Sequence, residues 1–206
     1  MITEPILVIA FNRPDHLKVL IDRLREVQPT RIYFAVDGPR EGNEAEKHKV
    51  TECQEMVSDI DWDCEITTNF QKSNLGCGLG VSTAITWFFD NEEHGIILED
   101  DIIPDLSFFS FCEELLDRHE NDSHVFAISG CNFVPPEEIS TPAAYRFSQV
   151  PHIWGWATWR NRWQQYNLDI SGWRSNGLSS VKLLQTVNYR LGAFAYWSAN
   201  FDLMAK

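Results

Sequence analysis

The chain has 206 residues, 44% of them apolar, and a formal net charge of −13. This length fits about one domain with a single sizeable core, and an acidic surface repels phosphate backbones, which excludes general nucleic-acid binding. An acidic chain that binds a phosphate-bearing donor would need local help from a metal ion, arginines or helix N-termini.

The first strand and helix are clear in the sequence. Ile6–Ala10 is a continuous apolar run, which is typical of a buried parallel strand. Pro14 suits the first turn of the helix that follows, and apolar residues continue to Val27 at helical spacing. This N-terminal segment lacks a basic region and is too short for an export signal.

The pattern of strand and helix repeats along the first 129 residues. Further strands are predicted over 31–36, 64–68, 96–98 and 125–129, with helices over about 50–60, 81–89 and 108–116 and a polar, glycine-bearing loop over 69–80. The alternation predicts an α/β fold with a mainly parallel, Rossmann-like sheet flanked by helices. Ligands bind beyond the carboxyl ends of such strands, where this chain places polar residues: Asn12-Arg13, Asp37-Gly38, 69–74 and Glu99-Asp100-Asp101.

Three consecutive carboxylates end the fourth predicted strand. Like charges at short range are costly, and Mg²⁺ or Mn²⁺ would remove that cost through oxygen ligands. In an extended segment Glu99 and Asp101 would face the site together, and Asp100 would face elsewhere. The alternative is a solvated acidic turn.

The sequence changes character after about residue 140. Six of the eight tryptophans lie there: Trp154, Trp156, Trp159, Trp163, Trp173 and Trp197. We expect this segment to cover the sheet without forming a separate domain. The aromatic-rich end at Lys206 suggests a chain truncated relative to a longer parent.

Together these motifs resemble GT-A-fold glycosyltransferases. The likeness rests on Ile6-Leu-Val-Ile-Ala-Phe-Asn-Arg13, Val36-Asp37-Gly38, Ile97-Leu98-Glu99-Asp100-Asp101 and Trp154-Gly-Trp-Ala-Thr-Trp-Arg160 with Trp163. It covers about residues 5–165 and is closest to bacterial family-2-like transferases and the N-acetylglucosaminyltransferase I group. The resemblance implies a single GT-A domain over 1–206, with a nucleotide-binding half over about 1–103 and an acceptor-side half over about 104–206.

The resemblance also implies residue roles. Ala10 and Phe11 would line the nucleotide base, and Asp37 would accept a hydrogen bond from the uracil ring. Arg13 would pair with the diphosphate, and Asp101 would bind Mn²⁺ or Mg²⁺. Glu99 and Asp100 would contact sugar and ribose hydroxyls. For Arg13 and Asp37 the alternatives are an exposed helix-start residue and a turn-former.

Two further segments have both a binding and a structural interpretation. The loop around Asn74 either wraps the donor or forms a glycine turn, and it is not a P-loop. His152, Trp154 and Trp156 either form an acceptor platform or pack in the core.

The implied reaction transfers a sugar from a nucleotide-diphosphate donor, with UDP favoured, to a glycan, lipid-linked sugar or other hydroxyl, and the family likeness favours inversion. An inverting enzyme needs a general base, for which Asp169 and Asp202 are candidates by position only.

Two other functions stay open. A sugar nucleotidyltransferase typically carries a glycine-rich basic signature where this chain has Phe11-Asn12-Arg13-Pro14. A non-catalytic nucleotide-sugar or carbohydrate-binding domain would explain the unplaced base.

Location is inferred from cysteines and hydropathy. Five scattered cysteines without a CxxC motif are typical of free thiols in a reducing compartment. No stretch reaches the roughly 18 apolar residues that span a bilayer. We expect a soluble cytoplasmic protein without a transmembrane segment, with peripheral attachment to the inner membrane as an alternative.

Overall fold

The computed structural model describes residues 2–133, 144–148 and 151–168. The strands in these ranges are β1 (Ile6–Ala10), β2 (Arg31–Val36), β3 (Glu65–Phe70), β4 (His94–Glu99), β5 (Ile128–Ser129) and β6 (Trp156–Trp159). The α-helices are α1 (Pro14–Val27), α2 (Glu44–Glu55), α3 (Cys77–Asn91), α4 (Leu106–Arg118) and α5 (Arg160–Trp163), with a 3₁₀ turn at Met56–Asp59.

The six strands form one mixed sheet in the order β3-β2-β1-β4-β6-β5. The first four strands are parallel, and β6 runs antiparallel to both of its neighbours, β4 and β5. The predicted α/β class is therefore confirmed, and a mixed sheet with four parallel strands is compatible with the predicted Rossmann-like fold. The parallel part places the carboxyl ends of β1, β2 and β4 side by side.

The central strand and its helix form as their sequences predict. All five residues of β1 are buried. Helix α1 has Pro14 in its first turn and buries an apolar stripe against the sheet: Leu17, Leu20, Ile21 and Leu24. It ends where Gln28 adopts a left-handed conformation and its N–H bonds to the carbonyl of Leu24.

Three predicted boundaries are corrected by the structure. The loop predicted to reach Gly80 ends at Gly76, because α3 begins at Cys77. The strand predicted over 125–129 is reduced to Ile128–Ser129. The second helix ends at Glu55 and continues only as the 3₁₀ turn, whereas it was predicted to reach residue 60.

The tryptophan-rich segment was predicted as a cover, and for its first part that prediction is wrong. Residues 156–159 are a strand inside the sheet, between β4 and β5. The Trp156 side chain is 8% exposed and packs in the core with Ile97 and Phe88. The indole N–H of Trp159 donates to the carbonyl of Leu116, at 3.3 Å, on α4.

The chain divides into two compact units. One comprises Met1–Phe133 and His152–Tyr166, and it holds the whole sheet, including β5 and β6 from the predicted acceptor-side half. The other comprises Val134–Pro151 and Asn167–Lys206, of which residues 144–148, 151, 167 and 168 are described. No helix in the described part of the chain is long and apolar enough to cross a membrane.

Candidate functional site

A cleft of about 390 Å³ opens at the carboxyl ends of β1, β2 and β4. This is the edge where parallel α/β sheets bind ligands. Its polar or conformationally important lining residues are Asn12, Arg13, Asp37, Arg40, Asn69, Gln71, Asn74, Gly76, Gly80, Glu99 and Asp100, with Ala10 and Phe11 among the apolar ones. The structure therefore brings together every residue that was predicted to bind the donor.

Arg13 links the ends of β1 and β4. Its guanidinium contacts the Asp100 carboxylate through Nη2 and the Asp101 Oδ2 through Nη1, the latter at 2.8 Å. The Asp100 side chain is 2% exposed and also accepts from the N–H of Phe11 at 3.3 Å. Both Asp100 oxygens are thus occupied by protein donors, and Arg13 already has two carboxylate partners.

Glu99 is the carboxylate in this group without a protein donor. Among the described residues its side chain has no hydrogen-bond or ion-pair partner, although it lines the cleft. Burial raises the pKa of Glu99, and the charges of Asp101 and Asp100 add to that shift. Burial also raises the pKa of Asp100, in opposition to the Arg13 charge. The acidic run is therefore more than a solvated turn.

The expected alternation of the three acids is corrected. Glu99 is the last residue of β4, and the chain turns at Asp100, where the N–H of Ile102 bonds to the carbonyl of Glu99 at 3.0 Å. The extended geometry that would place Glu99 and Asp101 on one side is lost. Glu99 and Asp100 line the cleft, and Asp101 shares Arg13 with Asp100.

Asp37 holds the loop that precedes α3. Its carboxylate accepts from Asn74 Nδ2 at 3.0 Å, from the N–H of Leu75 at 3.0 Å and from the N–H of Gly38 at 2.8 Å. The N–H of Leu75 also contacts the second carboxylate oxygen, Oδ2, at 3.2 Å, so protein donors already occupy about four acceptor positions of this carboxylate. Asp37 is therefore more than a turn-former, and its predicted uracil contact stays a prediction.

Glycines allow this loop and α3 to approach Asp37 closely. A Cβ at Gly38 would lie 2.4 Å from the backbone nitrogen of Ser73. A Cβ at Gly80 would lie 3.1 Å from Asp37 Oδ2, so α3 packs directly behind the carboxylate. Gly76, the residue before α3, has a φ of +79° and offers no side-chain cap, which leaves the first N–H groups of the helix at the cleft.

Glu46 is a site residue that sequence reasoning missed. This carboxylate is 5% exposed and accepts from the Asn12 side chain at 3.1 Å and from Nη1 of Arg40 at 2.8 Å. It also accepts from the backbone N–H of Arg40 at 2.8 Å. In the sequence Glu46 is one acid in a polar helix, where burial leaves no signal.

The aromatic group at residues 152–154 differs from the predicted platform, because it includes Phe133 and lacks Trp156. The Phe133 ring lies 4.7 Å from the His152 ring and 6.2 Å from the Trp154 ring, centroid to centroid, and Trp154 is 63% exposed. For Trp156 the packing alternative holds, because the side chain is buried in the core. Phe133 was missed, since it is remote in sequence from residues 152–154.

This aromatic group lies near the acidic turn. Gly155 has a φ of +69°, and a Cβ there would lie 3.2 Å from the Ile102 side chain, one residue after Asp101. The backbone next to Trp154 therefore adjoins the turn after β4. The general-base candidates Asp169 and Asp202 lie outside the described residues.

Asp101 is the residue of the acidic run that has an oxygen open to a divalent cation, and substrate oxygens would have to complete the coordination. Asp101 is 42% exposed, and its Oδ1 has no hydrogen-bond partner among the described residues. Across the described ranges no group of three or more His, Cys, Asp or Glu side chains is placed to hold a metal ion. Mg²⁺ typically takes one or two protein carboxylates plus water and phosphates, so Asp101 would hold it together with a bound phosphate group.

A scan of the chain against protein-family models gives no match, and a search of curated proteins gives none either.

Proposed function

We propose that this chain is a GT-A-type glycosyltransferase that moves a sugar from a nucleotide-diphosphate donor to a hydroxyl acceptor. The observation that carries the proposal is the cleft at the carboxyl ends of β1, β2 and β4, which contains Glu99, Asp100 and Arg13. A UDP-sugar is the first donor to test. The acceptor class is a glycan, a lipid-linked sugar or another hydroxyl compound.

The proposed donor position follows from the polar groups around the cleft. Glu99, whose oxygens have no partner among the described residues, would take sugar or ribose hydroxyls, and Asp37 would accept from a base N–H in exchange for one of its present loop contacts. The first turn of α3 contributes partial positive charge, which favours phosphate. Asp101 supplies an oxygen ligand for Mn²⁺ or Mg²⁺ beside that phosphate.

In the proposed reaction, the acceptor oxygen forms a bond to the anomeric carbon as the bond from that carbon to the diphosphate oxygen breaks. The acceptor hydroxyl gives its proton to a general base, and negative charge develops on the leaving diphosphate. Arginine side chains of the cleft stabilise this charge through charge-assisted hydrogen bonds. A bound divalent cation would supply Lewis-acid stabilisation of the same oxygens.

The acceptor is proposed to bind against the exposed rings of Phe133 and Trp154 and the half-buried ring of His152. Aromatic rings offer apolar faces to the C–H surfaces of sugars, and this group adjoins the turn that bears Asp101. An acceptor there would approach the donor sugar from the β6 side of β4.

The activity test is release of nucleotide diphosphate from a panel of UDP-, GDP- and dTDP-sugars with Mn²⁺, with and without glycan acceptors. The proposal predicts release from at least one donor and a loss of at least about tenfold in Glu99→Gln. Glu93→Gln, an exposed glutamate at the opposite end of β4, is the matched control. Binding without release for every donor would favour a non-catalytic nucleotide-sugar-binding domain.

A further inference from the structure

The cleft has two lining arginines among the described residues, and their surroundings differ. Arg13 is shared between Asp100 and Asp101, so its charge is balanced by two carboxylates. Arg40 has one carboxylate partner, Glu46, which it contacts through Nη1. The remaining guanidinium nitrogens of Arg40, Nε and Nη2, have no hydrogen-bond partner in the described part of the chain.

The position of Arg40 is fixed by several contacts. Glu46 accepts from both the backbone N–H and the side chain of Arg40, each at 2.8 Å. The Arg40 guanidinium carbon lies 5.5 Å from the centroid of the Phe11 ring, within the range of a cation–π contact. Arg40 is thus oriented at the cleft although most of its side chain is exposed.

Glu46 itself is fixed independently of Arg40. It lies in the first turn of α2, where its N–H bonds to the capping side chain of Asn43 at 3.1 Å. Its carboxylate also holds Asn12, which follows β1. One buried carboxylate therefore connects the loop after β1 with the loop after β2.

We propose that Arg40 is the cation that contacts the phosphate groups of the bound nucleotide, and that Glu46 is its positioning residue. One edge of the Arg40 guanidinium binds a carboxylate, and the N–H groups of its other edge are free. These N–H groups can donate charge-assisted hydrogen bonds to phosphate oxygens. The charge of Arg13, by contrast, is already balanced by Asp100 and Asp101, which leaves it less available to a phosphate. This inference rests on the proposed nucleotide-diphosphate binding and assigns its phosphate contact to Arg40.

The test is calorimetric binding of UDP with Mn²⁺, or of GDP or dTDP where UDP does not bind, to the full chain. Arg40→Ala is expected to weaken binding by about tenfold or more, as for loss of a hydrogen bond to a charged group. Arg40→Lys, which keeps the charge but not the fork, is expected to recover part of that loss. Arg23→Ala, which removes the same charge from α1 outside the cleft, is the control.

The role of Glu46 is tested by a double-mutant cycle. Glu46→Gln should weaken UDP binding severalfold in the wild-type background and leave it unchanged in Arg40→Ala, because the effect passes through Arg40. A merely structural effect would be equal in both backgrounds. Glu44→Gln, an exposed glutamate in the same helical turn, is the control, and thermal unfolding checks that each variant folds.

The outcomes separate this inference from the proposed function. Metal-dependent binding by the wild type with unchanged affinity in Arg40→Ala overturns the phosphate role of Arg40 and leaves the proposed function standing. Absence of binding of UDP, GDP and dTDP by the wild type overturns both.

Discussion

Arg13 contacts the buried carboxylate of Asp100, and this pair joins the end of β1 to the end of β4. The same guanidinium extends to the more exposed Asp101. The two aspartates are adjacent in sequence and share one partner, yet their environments differ. Asp100 is enclosed by protein donors, whereas Asp101 faces solvent with one oxygen available.

This difference predicts unequal effects on stability. Asp100→Ala should lower the free energy of unfolding by about 2–4 kcal/mol, because the N–H of Phe11 and the Arg13 guanidinium lose a buried acceptor. Asp101→Ala, at an exposed ion pair, should cost less than about 1 kcal/mol. Urea unfolding of both variants measures the difference, and equal losses would contradict the structural role of Asp100.

Gly38 is predicted to be essential for the position of the loop before α3. In Gly38→Ala the new methyl would meet the backbone of Ser73, so the loop must shift, at a cost of about 1–3 kcal/mol. Nucleotide binding should weaken as Asn74 moves from Asp37. Gly42→Ala is the control: its Cβ meets open space, and the left-handed backbone there costs about 1–2 kcal/mol without disturbing the cleft. Equal nucleotide affinity in both variants would refute this role.

Trp156 and Trp154 are predicted to have opposite roles. Trp156→Ala should destabilise the fold by about 3–5 kcal/mol, because the indole packs in the core beside Ile97. Trp154→Ala should change stability by less than about 1 kcal/mol and should weaken acceptor binding. Thermal unfolding and acceptor titration of the two variants test this. A large stability loss in Trp154→Ala would argue against an acceptor platform.

His94 gives the fold a pH-dependent contribution to stability. Its Nε2 lies 2.9 Å from Oε2 of Glu4, and this contact raises the pKa of His94 above its usual value. A raised folded-state pKa stabilises the protein below the unfolded-state pKa, and that stabilisation is lost as the pH rises through the folded-state pKa. The His94 side chain is partly exposed, so we expect about 0.5 kcal/mol after solvent screening.

The pH measurement compares wild type with His94→Gln in urea unfolding. The stability difference should be larger at about pH 6 than at about pH 9, because the contribution of the contact is lost as the pH rises through the folded-state pKa. His16→Gln, an exposed residue on α1, is the control. A pH-independent difference for His94→Gln would contradict the ion pair.

The sequence predicts most of the parallel half of the fold. The boundaries of β1, α1 and β2 follow from an apolar run, a helical stripe and turn residues, which are local signals. Strand β6 escaped prediction because Thr158 interrupts its short apolar run, and so short a run does not distinguish a strand from other buried structure. Its insertion between β4 and β5 is a long-range pairing.

The sequence predicts where the cleft lies, but it predicts fewer of the hydrogen bonds and ion pairs inside the cleft. Polar residues after parallel strands identified the cleft, and the resemblance identified Arg13, Asp37 and the acidic run. The expectation that Glu99 and Asp101 face the same side was wrong, because the chain turns at Asp100. The burial of Glu46 depends on Asn12 and Arg40, which lie on other segments, so no local pattern reports it.

The most direct test of the proposed function is calorimetric titration of UDP in the presence of Mn²⁺, with wild type and Asp101→Ala compared. We expect metal-dependent binding by the wild type and a loss of at least about tenfold in Asp101→Ala, with little change in folding stability. Failure of the wild type to bind UDP, GDP or dTDP with Mn²⁺ or Mg²⁺ would contradict the proposed function, and the acidic run would then be a structural turn.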